Sequence, residues 1–143
     1  MIGLVDAVAQ YLAAVVDGLA YSETTNEGNV YVDHLPSSPD RAVATFSMSG
    51  PEPDSKLPYD PAEFQVLVRG MADDYVWCRD TWSRIYSALH GKRNLTLPGG
   101  LYVVFILSTQ ASAVSLGTDE NGRPIFMGHY RAEVYNPTDE RPE

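Results

Sequence analysis

The amino-acid sequence predicts an α+β domain, a mixed and mostly antiparallel β-sheet with two helices packed on it. Three observations carry that prediction. Residues 2–19 and 75–89 repeat apolar side chains every three to four positions, the period of a helix with one buried face. Residues 41–49 and 63–69 instead alternate with a period of two, the mark of half-buried strands. Pro98-Gly99-Gly100 and Asn121-Gly122 then separate further β-rich runs with residues that suit hairpin turns.

The first helix is expected from Ile2, Val5, Val8, Ala9, Leu12, Val15, Val16 and Leu19, ended by Gly18 or by the polar run 22–28. Asp6, Gln10 and Asp17 interrupt this stretch and no basic residue precedes it, which speaks against a secretory signal or a membrane span. A short β-branched strand follows at 29–33. It runs into Leu35-Pro36-Ser37-Ser38-Pro39-Asp40, where two prolines forbid regular pairing. Residues 41–49 form the second strand, with Val43, Thr45 and Ser47 on one side and Ala42, Ala44, Phe46 and Met48 on the other.

Residues 50–61 hold four prolines together with Glu52, Asp54 and Asp60, and they read as a stiff, polar loop longer than most strand connections. Only Leu57 and Tyr59 could dock it. A loop of this kind commonly contacts a partner, so it is expected to be mobile alone and ordered by a neighbour.

The next strand places Phe64, Val66 and Val68 on one face and Glu63, Gln65, Leu67 and Arg69 on the other, and it stops at Gly70. Asp73 or Asp74 is the expected N-cap of a helix whose stripe is Tyr75, Cys78, Trp82, Ile85, Tyr86 and Leu89. Gly91 closes that helix, and Lys92 and Arg93 are expected to complement its negative end. Trp77 falls off the stripe and is either an exposed aromatic anchor or a cover for the core's edge.

A hairpin is expected from 94–97 and 101–108 around Pro98-Gly99-Gly100, with the almost wholly apolar run 102–107 in the middle of the sheet. Residues 113–116 add a short strand. The segment 117–124 is a turn, because Asp119 and Asn121 lack the third ligand and the closing Glu of a calcium loop. Residues 125–135 are the last long strand. The domain therefore spans 1–136, and the proline-containing tail 137–143 is expected to be disordered.

With 44% hydrophobic and 20% charged residues, 143 positions suit one globular domain able to build a core without disulfides or metals. Nineteen acidic against ten basic side chains, with no Lys or Arg before Arg41, disfavour tight binding to nucleic acid. Cys78 is the single cysteine and lies on the apolar stripe, so it reads as a buried thiol. His34, His90 and His129 are scattered, and no phosphate loop or nucleophile elbow is present. No catalytic residue, cofactor or metal is expected.

Four segments in this order, Leu35-Pro36-Ser37-Ser38-Pro39-Asp40, Phe64-Gln65-Val66-Leu67-Val68-Arg69, Ile85-Tyr86-Ser87-Ala88-Leu89-His90-Gly91 and Gly117-Thr118-Asp119-Glu120-Asn121-Gly122-Arg123-Pro124, resemble the tail terminator (minor capsid) proteins of long-tailed bacteriophages. The likeness runs from Ile2 to Tyr135; Trp77, Trp82 and the proline loop depart from it. It implies a virion protein, not an enzyme. Such a protein forms a homo-hexameric ring, caps the tail tube protein's polymer, and offers a surface to a head completion or connector protein. DNA would pass through the lumen without specific binding. The resemblance also implies a place at the head–tail interface of the virion, assembly in the host cytoplasm, and no membrane partner. The candidate assembly interface is Pro51, Glu52, Asp54, Leu57 and Tyr59 of the loop, with Trp77, Asp119 and Arg123. The alternatives are another neck or head–tail connector protein, or a small ligand-binding domain or enzyme, which would need a pocket with converging polar groups.

Overall fold

The two longest strands pair along almost their whole length and form the axis of the molecule. The computed structural model describes residues 3–22 and 28–142. In it β3 (Tyr59–Arg69) runs antiparallel to β7 (Pro124–Tyr135), from Tyr59 opposite Tyr135 to Arg69 opposite Ile125. On one side of this pair lie β2 (Ala42–Ser47) and then β1 (Val30–Val32), and on the other β5 (Tyr102–Ser108) and then β4 (Lys92–Thr96). The far end of β7 carries β6 (Val114–Thr118) beside it. Only β1 and β2 are parallel, so the sheet is mixed and mostly antiparallel.

The alternation predicted for β3 holds, with Phe64, Val66 and Val68 buried. Register carries the same face across the sheet: Thr45 lies opposite Val66, and Val66 opposite Gly128. Both helices sit on that face. From α1 (Leu4–Val15) the Val5 carbonyl accepts the Thr45 hydroxyl at 3.0 Å, and from α2 (Tyr75–Leu89) the Trp82 indole donates to the Met127 carbonyl at 3.1 Å. Tyr11 Oη donates to the Ala88 carbonyl at 3.1 Å and ties one helix to the other. The core lies between, with Phe64 stacked on Tyr130 at 5.3 Å between ring centres.

A tryptophan fits at this place because Gly128 gives it room. A Cβ there would stand 3.0 Å from both the Trp82 indole nitrogen and the Tyr130 ring. Gly70 does the same for the start of α2, since its Cβ would lie 2.7 Å from Cys78 Sγ.

Five details differ from the expectations, the first being Tyr75, which its spacing puts on the apolar stripe but which is 38% exposed at the first position of α2, with the Phe126 ring at its edge. The first helix ends at Val15, and Val16 and Leu19 reach the core from the chain beyond it; Ile2 and the polar residues 23–27 lie outside the described residues. Strand β3 starts at Tyr59, inside the expected loop, because the Tyr59 and Tyr135 rings continue the ladder past Pro61 at 5.5 Å. Asp74 is the N-cap residue of α2 but makes no capping bond, its carboxylate being taken by Arg41 and the Met71 N–H; Asp73 turns the chain at φ 64°. Lys92 and Arg93 are not a helix end. Gly91, at φ 81°, turns the chain so sharply that its own N–H already bonds the Ile106 carbonyl, and the two basic residues begin β4.

Candidate functional site

With both helices on one face, the other face of the sheet is free of helices among the described residues. Tyr59, Pro61, Glu63 and Gln65 of β3 lie there opposite Tyr135, Glu133, Arg131 and His129 of β7. At the Tyr59–Tyr135 end of this face the 50–58 loop rises beside the sheet. Between them lies a groove of ≈ 630 Å³.

Glu52, Asp54, Leu57, Tyr59 and Pro61 form one wall of that groove, and Asn94, Tyr102, Val104 and Glu133 form the floor and the other wall. Four of the eight predicted interface residues are thus brought together. Leu57 is 60% exposed, and Pro51 stands exposed where the loop begins. The side chains of Glu52 and Glu133 engage no hydrogen bond or ion pair among the described residues, and the lining contains no cation.

The loop's shape comes from residues far away in sequence. Asp54 accepts the Lys56 and Leu57 N–H groups at 2.7 Å each, which folds residues 54–57 into a turn and holds the Asp54 carboxyl below its ordinary value. Arg141 then reaches back from the tail. Its guanidinium donates to the Asp54 carbonyl at 2.9 Å, the Leu57 carbonyl at 3.0 Å and the Asp60 carboxylate at 2.7 Å. Asn136 closes the circle: its N–H bonds the Pro58 carbonyl, and its side chain donates to Asp60 at 2.8 Å. The segment expected to depend on a partner for its shape has an internal clamp, and the tail expected to be disordered supplies it.

The other predicted residues occupy two separate places. Trp77 is half-buried against the edge of the core, with the Arg41 guanidinium 4.9 Å above its ring. Arg41 pairs in turn with both oxygens of Asp74, at 2.7 and 3.1 Å, and holds that carboxyl below its ordinary value. The exposed neighbour is Val76, at 75%. Nothing in the stripe marked it, since a helix turns by one residue between a half-covered side chain and a bare one.

Asp119 and Arg123 are committed inside the molecule. Arg123 is only 7% exposed; it donates to Asp119 at 2.8 Å, to Asp40 at 3.1 Å and to the Ser37 carbonyl at 2.7 Å. Arg69 lies buried beside it and donates to the Pro39 and Asp40 carbonyls. Two arginines therefore bind the 36–40 turn, which cannot satisfy its own carbonyls, to the sheet.

One string of polar groups crosses the open face. His129 lies 2.9 Å from the Thr109 hydroxyl and 3.0 Å from the Glu63 carboxylate. The order hydroxyl, imidazole, carboxylate is that of a hydrolytic triad, but the Thr109 hydroxyl is already given to the His129 carbonyl at 3.2 Å, and none of the three lines the groove. It joins strands. No group of three or more His, Cys, Asp or Glu that could hold a metal ion occurs among the described residues, and no helix there is long and apolar enough to cross a membrane.

The sequence profile described as "Bacteriophage tail terminator protein" matches residues 11–136, which takes in the end of α1, all of α2, every strand and the loop. The chain belongs to the bacteriophage tail terminator family. It is therefore placed in a family of structural virion proteins of the tail. Among solved structures, a chain of the "Virion of native gene transfer agent (GTA) particle" superposes with a TM-score of 0.61 at 22% identity, covering 92% of this chain and 93% of that one. That likeness is one of fold. No curated protein sequence matches the chain.

Proposed function

We propose that this protein closes the phage tail, forming a hexameric ring on the end of the tail tube and presenting a surface on which the head is joined. The observation that carries the reading is the family match over residues 11–136. Its partners are further copies of itself, the tail tube protein, and a head completion or connector protein. The protein is assembled in the host cytoplasm and ends at the head–tail interface of the virion, where ejected DNA passes through the lumen.

A formal charge of -9 per subunit suits that passage. Cations would hold phosphates through counterion release, whereas an acidic wall repels them over a screening length of about 8 Å at physiological salt. Electron microscopy of the purified protein should reveal rings, and a phage lacking it should yield tails of uncontrolled length beside unjoined heads. Normal tails and infectious particles in the null mutant would sink the reading. Micromolar affinity of the free protein for duplex DNA at low salt would sink the account of the lumen.

A further inference from the structure

Two exposed patches lie at opposite corners of the molecule. The groove opens on the helix-free face at the Tyr59–Tyr135 end of the sheet. The second patch lies on the helix layer at the other end, where Tyr75 meets Phe126 and Gly70 meets Cys78. It consists of Met71, Tyr75 and Val76 at the start of α2, all exposed. Three exposed apolar side chains within six positions of chain offer material for a contact.

Each patch carries unspent charge of both signs, and the two sets can be matched in pairs across a contact. Around α2, Arg41 is paired with Asp74 and Arg84 with Asp80. Asp73 stands at the helix's N-terminal edge. The Arg79 guanidinium engages no hydrogen bond or ion pair among the described residues, and it lies one turn beyond Val76 on the same side of the helix. The groove carries the unpaired side chains of Glu52 and Glu133 beside Leu57, Tyr59 and Tyr102, and Lys56 is exposed in the same loop.

We infer that the groove of one copy receives the first turns of α2 of a second copy, Val76 and Tyr75 resting on Leu57 and Tyr59 while Arg79 meets Glu133 and Glu52. The two patches are on different faces and different ends, so no chain can satisfy its own, and each copy offers both halves of the contact. Such a head-to-tail contact propagates and closes into a ring when the rotation between copies allows. The inference rests on the ring proposed above and names the surfaces that build it.

Charge reversal tests it in the full-length chain. Arg79→Glu and Glu133→Arg should each weaken association by roughly tenfold or more in sedimentation, and the two together should recover most of it. Val76→Asp should act like the single reversals. All three positions lie outside the core, so unchanged circular dichroism melting separates lost association from lost folding. A wild type that forms rings while both reversals leave ring mass unchanged overturns this contact and leaves the ring standing. A double variant no better than either single also overturns it. A wild type that is monomeric at every concentration, alone and on tail tubes, overturns the ring and the contact together.

Discussion

Arg141 and Asp60 meet at 2.7 Å although 81 positions of sequence separate them, and through that pair the end of the chain sets the shape of a loop in its first half. The guanidinium also fills two loop carbonyls, so a single side chain satisfies groups from residues 54, 57 and 60.

Arg141→Gln should therefore loosen residues 50–60 while leaving the helix-covered face intact. Hydrogen exchange should speed up selectively at Lys56, Leu57 and Asn136, whose N–H groups lie within the clamp. Unchanged protection there would mean that Asp54 and the prolines hold the loop by themselves.

Acid should open the same clamp. The hydrogen bond from Arg141, with help from Asn136, holds the folded Asp60 carboxyl below its ordinary value, and Arg41 does the same for Asp74. A carboxyl depressed in the folded state contributes stability that is fully present above its unfolded value, about 3.9, and that is lost as pH falls through the folded value. Loop protection and melting temperature should hold steady from neutral pH to about pH 5 and fall below about pH 4. A decline centred near pH 6.5 would instead implicate histidine.

Trp82 is the anchor of the helix-covered face. Trp82→Ala should cost about 3 to 5 kcal/mol in denaturant unfolding, and Gly128→Ala about 1 to 3 kcal/mol, because the added Cβ meets the indole and the Tyr130 ring. A wild-type-like Gly128→Ala would show that the helix can shift without loss.

Tyr130 makes the opposite case. Its hydroxyl is buried with no hydrogen-bond partner among the described residues, and burial pushes its ionisation well above the ordinary value. Removing an unsatisfied polar atom at constant shape relieves a desolvation penalty, so Tyr130→Phe should be neutral or stabilising by about 1 kcal/mol. A loss of more than about 1 kcal/mol would reveal a partner for that hydroxyl.

Cys78 should resist thiol reagents in the native protein and react once unfolded. It is fully buried, and burial, followed by the Asp74 charge, pushes its thiol up to about 11. Fast labelling of the folded chain would indicate that the start of α2 opens readily.

What the sequence determined by itself is what depends on neighbours within a few positions. The faces of β3 and β7, the stripe from Cys78 to Leu89, and the turn at Asn121-Gly122 follow from steric periods of two and 3.6 and from the conformational freedom of glycine. The loop was recognisable too, since four prolines and three acids in twelve residues cannot pack as core. Its occupation was not. A charged side chain in a sequence declares that it needs a partner or water, and it does not declare which. Arg123 looked available at a surface turn until the 36–40 turn closed over it, and Arg141 looked like part of a free tail until Asp60 came within reach. Lys92 and Arg93 looked like a helix end until Gly91 turned them into the sheet. Gly128 passed as an ordinary strand residue, because its role is the absence of a Cβ where Trp82 comes to rest. Which side chains cluster, and which cations and carboxylates stay unpaired, was decided only when the sheet brought residues 52, 94 and 133 to one groove. Such pairings are settled by loop closure across the whole chain, and no local window contains them.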